Sequence, residues 1–208
     1  MVDSLDLKSS GIYSRGGSSP PEATKLYIMS IIDRNKAEFI KNILAIDALH
    51  IKYIANFIKK ISKKNKIYCA GNGGSASIAN HFVCDLVKGN NYKKKFNLIS
   101  LSNNIEIITA ISNDINYEKI FSFQLSKYAS KGDLFISISS SGNSKNIING
   151  IKEAKKLKMK TISFTGFDGG ESKILSDFNI NIDSNNYGII EDSHSFIMHT
   201  ICQMLHNE

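Results

Sequence analysis

No apolar run in the 208 residues approaches the roughly 20 that a membrane-spanning helix needs, so a membrane location is not expected. Nor does a charged-then-apolar leader with a small-residue cleavage site open the chain, and a cytoplasmic protein is the expectation. Tryptophan is absent and proline occurs twice, beside 42% hydrophobic residues, which is the composition of an ordinary soluble globular protein. The three cysteines, Cys69, Cys84 and Cys202, are odd in number and widely spaced in apolar surroundings. That pattern excludes a disulfide framework and a metal knuckle and leaves reduced core thiols. The formal charge of +7 raises the question of nucleic acid. The lysine runs, Lys59-Lys60, Lys63-Lys64 and Lys93-Lys94-Lys95, lack the interleaved aromatics that stack bases. They read as a solvated surface with some attraction for small anions, and no nucleic-acid partner is expected.

What is present falls into a tail and one domain. Residues 1–22, rich in Ser and Gly and holding Pro20-Pro21, read as a disordered tail, and residues 23–208 as a single domain. That domain includes N-terminal helices over residues 23–62. Leu26, Met29 and Ile32, then Phe39, Ile40, Ile43 and Leu44, then Ile51, Ile54, Ala55, Ile58 and Ile61 recur at three-to-four spacing. Two amphipathic helices are expected, broken near Asp33-Arg34-Asn35 or around Asp47, with apolar faces that suit another subunit. Beyond Lys66 short β-rich runs, 67–70, 96–101, 134–139, 161–165 and 178–182, alternate with helical patterns. The helices are expected at 75–88, 104–128 with a split near Asn113-Asp114, 144–157, 171–175 and 189–205. Apolar strands separated by helices imply a parallel sheet covered on both faces, an α-β-α sandwich with ligands at the carboxyl ends of the strands.

One stretch organises this pattern: Ala70-Gly-Asn-Gly-Gly-Ser-Ala-Ser-Ile-Ala-Asn-His-Phe-Val-Cys-Asp85, entered by a strand and left by a helix. Such a turn aims free N–H groups and the positive helix end at one point, which suits a phosphate. Gly71-Asn72-Gly73-Gly74-Ser75-Ala76 formally fits the dinucleotide fingerprint, but that also wants an acidic residue at the end of the next strand. Here the next strand ends Leu101-Ser102-Asn103-Asn104, with no carboxylate before Glu106, so a nicotinamide cofactor is disfavoured. The missing G-K-[ST] excludes a nucleotide P-loop. A second strand-to-helix turn, Ile136-Ser137-Ile138-Ser139-Ser140-Ser141-Gly142-Asn143-Ser144, offers hydroxyls and backbone donors around a glycine. It reads as a nest for a phosphate dianion, with Ser144 also placed to cap a helix.

Together GNGGSAxxxxHF and SxSSSGNSxN, separated by a unit containing Ser112-Asn113-Asp114, resemble the sugar isomerase (SIS) domain family. Within it the chain is most similar to the phosphoheptose isomerase group, which converts sedoheptulose 7-phosphate into a heptose 7-phosphate for capsule or lipopolysaccharide. The resemblance spans about residues 25–206. It implies a five-stranded parallel sandwich of Rossmann or flavodoxin-like kind and a homotetramer with active sites near subunit interfaces. It places Asn72, Gly73 and Ser75 in a first substrate loop, Asn113 and Asp114 on a substrate-binding pair, and Ser139, Ser140, Ser141 and Ser144 in a phosphate loop. The resemblance also implies a zinc site, here His81, Asp85, Glu191 and His199. Asp85 and Glu191 stand where the family has Glu and Gln.

The residue chemistry agrees with that direction. His81 and Asp85, four apart on a helix, share a face, which serves an ion pair, an acid–base pair or two metal ligands. Glu191 and His199 are two turns apart, about 12 Å, and can share one ion only if their helix starts irregularly or two subunits contribute. His194 is placed to pair with Glu191, whereas His50 and His206 read as surface or packing residues. An aldose–ketose isomerisation needs a base between two adjacent carbons and an acid or metal at the enediolate oxygens. Asp85 or Glu191 is the expected base, His199 the acid, and His81 a metal ligand or carbonyl polariser. The contrasting reading is a non-catalytic SIS module that binds a phosphosugar or a protein, as in relatives that bind a replication initiator. A transcription regulator is set aside because residues 1–60 hold no recognition helix, and a glutamine-dependent synthase because no N-terminal cysteine domain is present.

Overall fold

The computed structural model describes residues 22–89 and 96–206, with side chains from Ser30 onward. The tail up to residue 21 and the Lys93-Lys94-Lys95 run therefore lie outside the described residues. The chain divides into two units, residues 1–38 and 39–208. The described part of the first is helical and belongs to α1, Glu22–Leu44.

Helix α1 passes through Asp33-Arg34-Asn35 without a break. None of these is a strong helix breaker of the Gly or Pro kind, so the stretch continues. The interruption falls at Asp47, whose carboxylate accepts from the Leu49 amide at 2.8 Å and the His50 amide at 3.2 Å and so starts α2, Ala48–Lys60. The alternating region then gives β1 (Lys66–Gly71), α3 (Gly73–Lys88), β2 (Asn97–Ser100), α4 (Ile105–Asp114), a 3₁₀ turn (Tyr117–Lys119) and α5 (Ile120–Tyr128). It continues with β3 (Leu134–Ser139), α6 (Lys145–Lys156), β4 (Lys160–Gly166), α7 (Gly170–Leu175), β5 (Phe178–Ile182) and α8 (Tyr187–His206).

The five strands pair in parallel in the order β2-β1-β3-β4-β5. Central β1 and β3 are almost wholly buried because helices cover both faces. Alternation along β1 sends Ile67 and Cys69 to one face, among Ile54, Phe82, Ile136, Phe164 and Ile197, and Tyr68 and Ala70 to the other, among Phe121, Leu125, Phe135 and Ile147. The strand order reverses between β1 and β3, so the loops that follow them splay apart and leave a crevice between.

One face of the β4–β5 pair is polar. Thr161, Ser163 and Thr165 are all 0% exposed, and each is bonded across to Asp177, Asn179 or Asn181, every pair including a contact of 2.8 Å. Full mutual satisfaction is what makes such a buried ladder tolerable. Two thiols, Cys69 and Cys202, are buried as expected, but Cys84 is exposed, because it lies on the outward face of α3 near His81 and Val87.

Candidate active site at the switch point

Gly71 ends β1 where α3 docks directly on the strand. A Cβ there would lie 2.5 Å from the Ser75 carbonyl carbon and 2.9 Å from the Ala76 nitrogen. Gly73 has φ of +52°, in the left-handed region that glycine enters without penalty. Ser102, where a dinucleotide enzyme would need its carboxylate, is spent on the β1 backbone: its hydroxyl accepts from Gly71 N at 3.1 Å and donates to Gly71 O at 2.9 Å.

Asn72 is the N-cap residue of α3, yet its side chain makes no cap bond. It instead forms a reciprocal amide pair with Asn146, 2.9 Å in both directions, and accepts from the Tyr117 hydroxyl at 2.9 Å. The glycine loop and the serine loop are thereby tied together across the crevice. The serine loop is braced behind by β4 and α7, with Gly166 N donating to Ser140 O at 2.7 Å and Ser172 N to Gly142 O at 2.9 Å. Ser144 occupies the N-cap position of α6 but makes no side-chain cap bond there; the Ser139 hydroxyl donates to it at 3.3 Å. Ser141 Oγ accepts from Asn143 N at 3.2 Å. The Ser140 hydroxyl is buried and has no partner in the protein.

Asn72, Ser75, Ile138, Ser139, Ser140, Ser141 and Ser144 line a cleft of about 140 Å³ together with two α8 residues, Tyr187 and Glu191. Two helix N-termini without side-chain caps and an orphaned hydroxyl converge there, a donor set suited to a phosphate. Asn113 and Asp114 are not part of this lining. They sit exposed at the end of α4, with Asn113 Nδ2 donating to Asp114 Oδ1 at 2.9 Å.

Helices α3 and α8 lie side by side and run in the same direction. Gly74 meets the Glu191 carboxylate near their starts, the His81 and His199 rings meet edge to face at 4.9 Å midway, and the His206 imidazole lies against Gly89 at the far end. Asp85 completes the middle layer, its Oδ1 3.4 Å from His81 Nε2 and its Oδ2 3.6 Å from His199 Nε2. One ligand atom from each of His81, Asp85 and His199 lies within 4.8 Å of the others. Two imidazole nitrogens and a carboxylate are the donors zinc takes, and its bonds of about 2.0–2.1 Å set ligand atoms about 3.3 Å apart in a tetrahedron. The two imidazole–carboxylate separations, 3.4 and 3.6 Å, are close to that spacing. The shorter Asp85 side chain still reaches both histidines.

Glu191 does not join the trio. Helix α8 is regular from Tyr187, so Glu191, at the start of its second turn, stands about 12 Å along the axis from His199. Burial, and then the adjacent Asp192 carboxylate, push its proton affinity above the usual carboxylate range. His194 does not pair with Glu191 either. It is turned into the core at 0% exposure, and its Nε2–H donates to the Thr165 carbonyl at 3.0 Å. Burial pushes its pKa down to about 4 against the opposing pull of that bond.

The SIS domain family matches residues 34–166, and that span covers more than half of the chain. The chain belongs to the SIS domain family. This SIS domain is 44% identical over 163 residues to a probable phosphoheptose isomerase of Thermoplasma acidophilum, covering 76% of this chain and 89% of that protein. It is 42% identical over 152 residues to the phosphoheptose isomerase of Aliarcobacter butzleri, covering 73% and 80%. Among solved structures, the phosphoheptose isomerase of Neisseria gonorrhoeae superposes with a TM-score of 0.79 at 25% identity, over 88% of this chain and 98% of that one.

The SIS domain uses four residues that sequence reasoning did not single out. Asn146, the last letter of the serine motif, was legible as a motif member but not as the partner of Asn72. Gly74 likewise stands in the glycine motif but was not legible as the neighbour of Glu191, and Tyr117 and Tyr187 gave no signal, because each meets residues distant in the chain.

Proposed function

We propose that this SIS domain is an aldose–ketose isomerase acting on sedoheptulose 7-phosphate or a related ketose phosphate, through an enediolate. The observation that carries the reading is the serine cleft, where the unpartnered Ser140 hydroxyl and two helix N-termini without side-chain caps await an anion beside a half-buried carboxylate. Relatives above 40% identity named phosphoheptose isomerase support the substrate class.

The serine loop binds the phosphate, with Ser75 and Gly73 of the first loop beside it. Asn72 orders both loops, and Asn113 with Asp114 would meet the sugar only where a second copy brings them near. Asp85 and Glu191 are the carboxylates available as base and His199 is the acid. His81, Asp85 and His199 would hold zinc, which when bound would polarise the substrate oxygens as a Lewis acid. The trio stands two turns of α8 beyond Glu191 in the cleft wall. A homotetramer with active sites near subunit interfaces is what the resemblance to phosphoheptose isomerases favours. Reduced thiols and the sugar-phosphate substrate fit a cytoplasmic enzyme supplying lipopolysaccharide or capsule. No helix among the described residues is long and apolar enough to cross a membrane.

The test is turnover of a ketose-phosphate panel that includes sedoheptulose 7-phosphate, with and without zinc. Conversion of the heptulose is expected. A protein whose melting temperature rises with a sugar phosphate but which turns none over would be the non-catalytic binding module instead.

A further inference from the structure

Asn72 holds the N-cap position of α3 with extended backbone, φ −114° and ψ 149°. Asparagine at such a position ordinarily turns its side-chain oxygen onto the amides of the first turn. Here that would set Oδ1 on the Gly74 or Ser75 amide and fill the anion-binding end of α3 with an internal acceptor. The bond is not made. Oδ1 is turned aside, where it accepts from two donors at 2.9 Å each, Asn146 Nδ2 and the Tyr117 hydroxyl.

The direction of these bonds is fixed from one end. A reciprocal amide pair makes the same two bonds when both amides are flipped, so Asn72 and Asn146 by themselves do not choose. The Ile147 amide chooses, because a backbone N–H only donates, and it donates to Asn146 Oδ1 at 2.9 Å. Asn146 Nδ2 then faces Asn72 Oδ1, and the Tyr117 hydroxyl, meeting an oxygen, must donate. One hydrogen of Asn72 Nδ2 goes to Asn146 Oδ1 at 2.9 Å. The other has no acceptor among the described residues, on a side chain that lines the serine cleft.

The turn that carries Tyr117 is anchored apart from this bond. The Glu118 carbonyl accepts from Asn149 Nδ2 at 3.0 Å, and the Glu118 carboxylate lies 3.1 Å from Lys145 Nζ, both partners on α6. Loss of the hydroxyl alone leaves the turn tied in place.

We propose that Tyr117 is a positioning residue for phosphate binding. Its hydroxyl holds the Asn72 amide off the start of α3, which keeps the first-turn N–H groups open to the ligand and leaves the second Asn72 N–H for the same phosphate. The inference rests on the reading of the cleft as a sugar-phosphate site, and not on the reaction that follows. Without the hydroxyl, Asn72 Oδ1 competes with the ligand for the α3 amides, while the ligand-free fold gains a cap for the bond it gives up.

The experiment uses the full chain, with Tyr117→Phe, Asn72→Ala and the two combined, in calorimetric titration with inorganic phosphate and in turnover of a ketose phosphate. Tyr117→Phe should weaken phosphate binding about 3- to 10-fold, the scale of one hydrogen bond. KM should rise by a similar factor with kcat within about twofold, the pattern of lost binding. The ligand-free melting temperature should stay within about 2 °C of wild type. In the Asn72→Ala background the same substitution should change phosphate affinity by less than about 1.5-fold, because the side chain it acts on is gone. Equal losses in both backgrounds would overturn the inference, since the hydroxyl would then act without Asn72. So would a Tyr117→Phe protein that binds phosphate as wild type does, or one that melts several degrees lower with kcat and KM both impaired. A wild type that binds phosphate and shows this coupling, yet turns over no ketose phosphate, would overturn the isomerase reading and support this inference. A wild type that binds no phosphate would overturn both.

Discussion

Replacing Ser140 by Ala should move stability and ligand binding in opposite directions. The Ser140 hydroxyl is buried, the residue being 5% exposed, and it has no partner in the protein. An unsatisfied buried polar group costs about 1–3 kcal/mol, so its removal should leave the ligand-free protein as stable as before or more stable by about 1 kcal/mol. In a domain of this size that is a rise in Tm of about 2–4 °C. Bound phosphate reverses the sign. A hydrogen bond to a charged group contributes about 1.5–3 kcal/mol, so the variant should bind phosphate about 10- to 150-fold more weakly. Thermal melting with and without inorganic phosphate reads the stability term, and calorimetric titration with a ketose phosphate reads the affinity. A variant that melts several degrees lower without ligand, yet keeps the wild-type response to phosphate, would refute the argument. Its hydroxyl would then be a structural group and not a donor held for the ligand.

Three further outcomes are expected. His194 is neutral in the fold with a pKa of about 4 and titrates near 6.5 when unfolded. The unfolded chain therefore binds its proton first, and stability should fall by about 3 kcal/mol as pH drops from 6.5 to 4. Urea unfolding at the two pH values measures this, and His194→Leu should flatten that part of the profile. Gly71→Ala forces a methyl into the Ser75–Ala76 backbone and should destabilise by about 1–3 kcal/mol, visible as a lower urea midpoint with an unchanged slope. The double substitution His81→Ala, His199→Ala removes two of the three converging donors, so zinc binding measured by titration should disappear along with activity. Full activity in that variant would sink the role given to the trio.

Much of the architecture could be read from local chemistry. Strand β3 falls at 134–139 because a central strand covered on both faces is rich in apolar residues, and edge strand β5 falls at 178–182, where Phe178, Ile180 and Ile182 alternate with Asn179 and Asn181. The glycine turn and the serine turn were legible because phosphate binding at a helix start needs only neighbours in the chain: small residues, hydroxyls and backbone N–H groups. His81 and Asp85 were paired by their four-residue spacing on one helix. The break between α1 and α2 was legible as a choice of two positions, and the capping carboxylate of Asp47 selected one of them.

What the chain could not disclose depends on how distant elements are set against each other. The parallel register of α3 and α8 decides that Asp85 meets both histidines while Glu191 meets Gly74, two turns apart. The same packing turns His194 into the core, where sequence spacing alone would pair it with Glu191. The reciprocal Asn72–Asn146 bond and the polar ladder from Thr161 to Asn181 likewise join residues 14 or more positions apart. Sequence alone therefore determined which groups are available, since composition and local spacing govern strands, turns and helix starts. Tertiary structure decided which carboxylate is committed and which is free. That difference is set by packing between helices, and by the absence of a single methyl at Gly74.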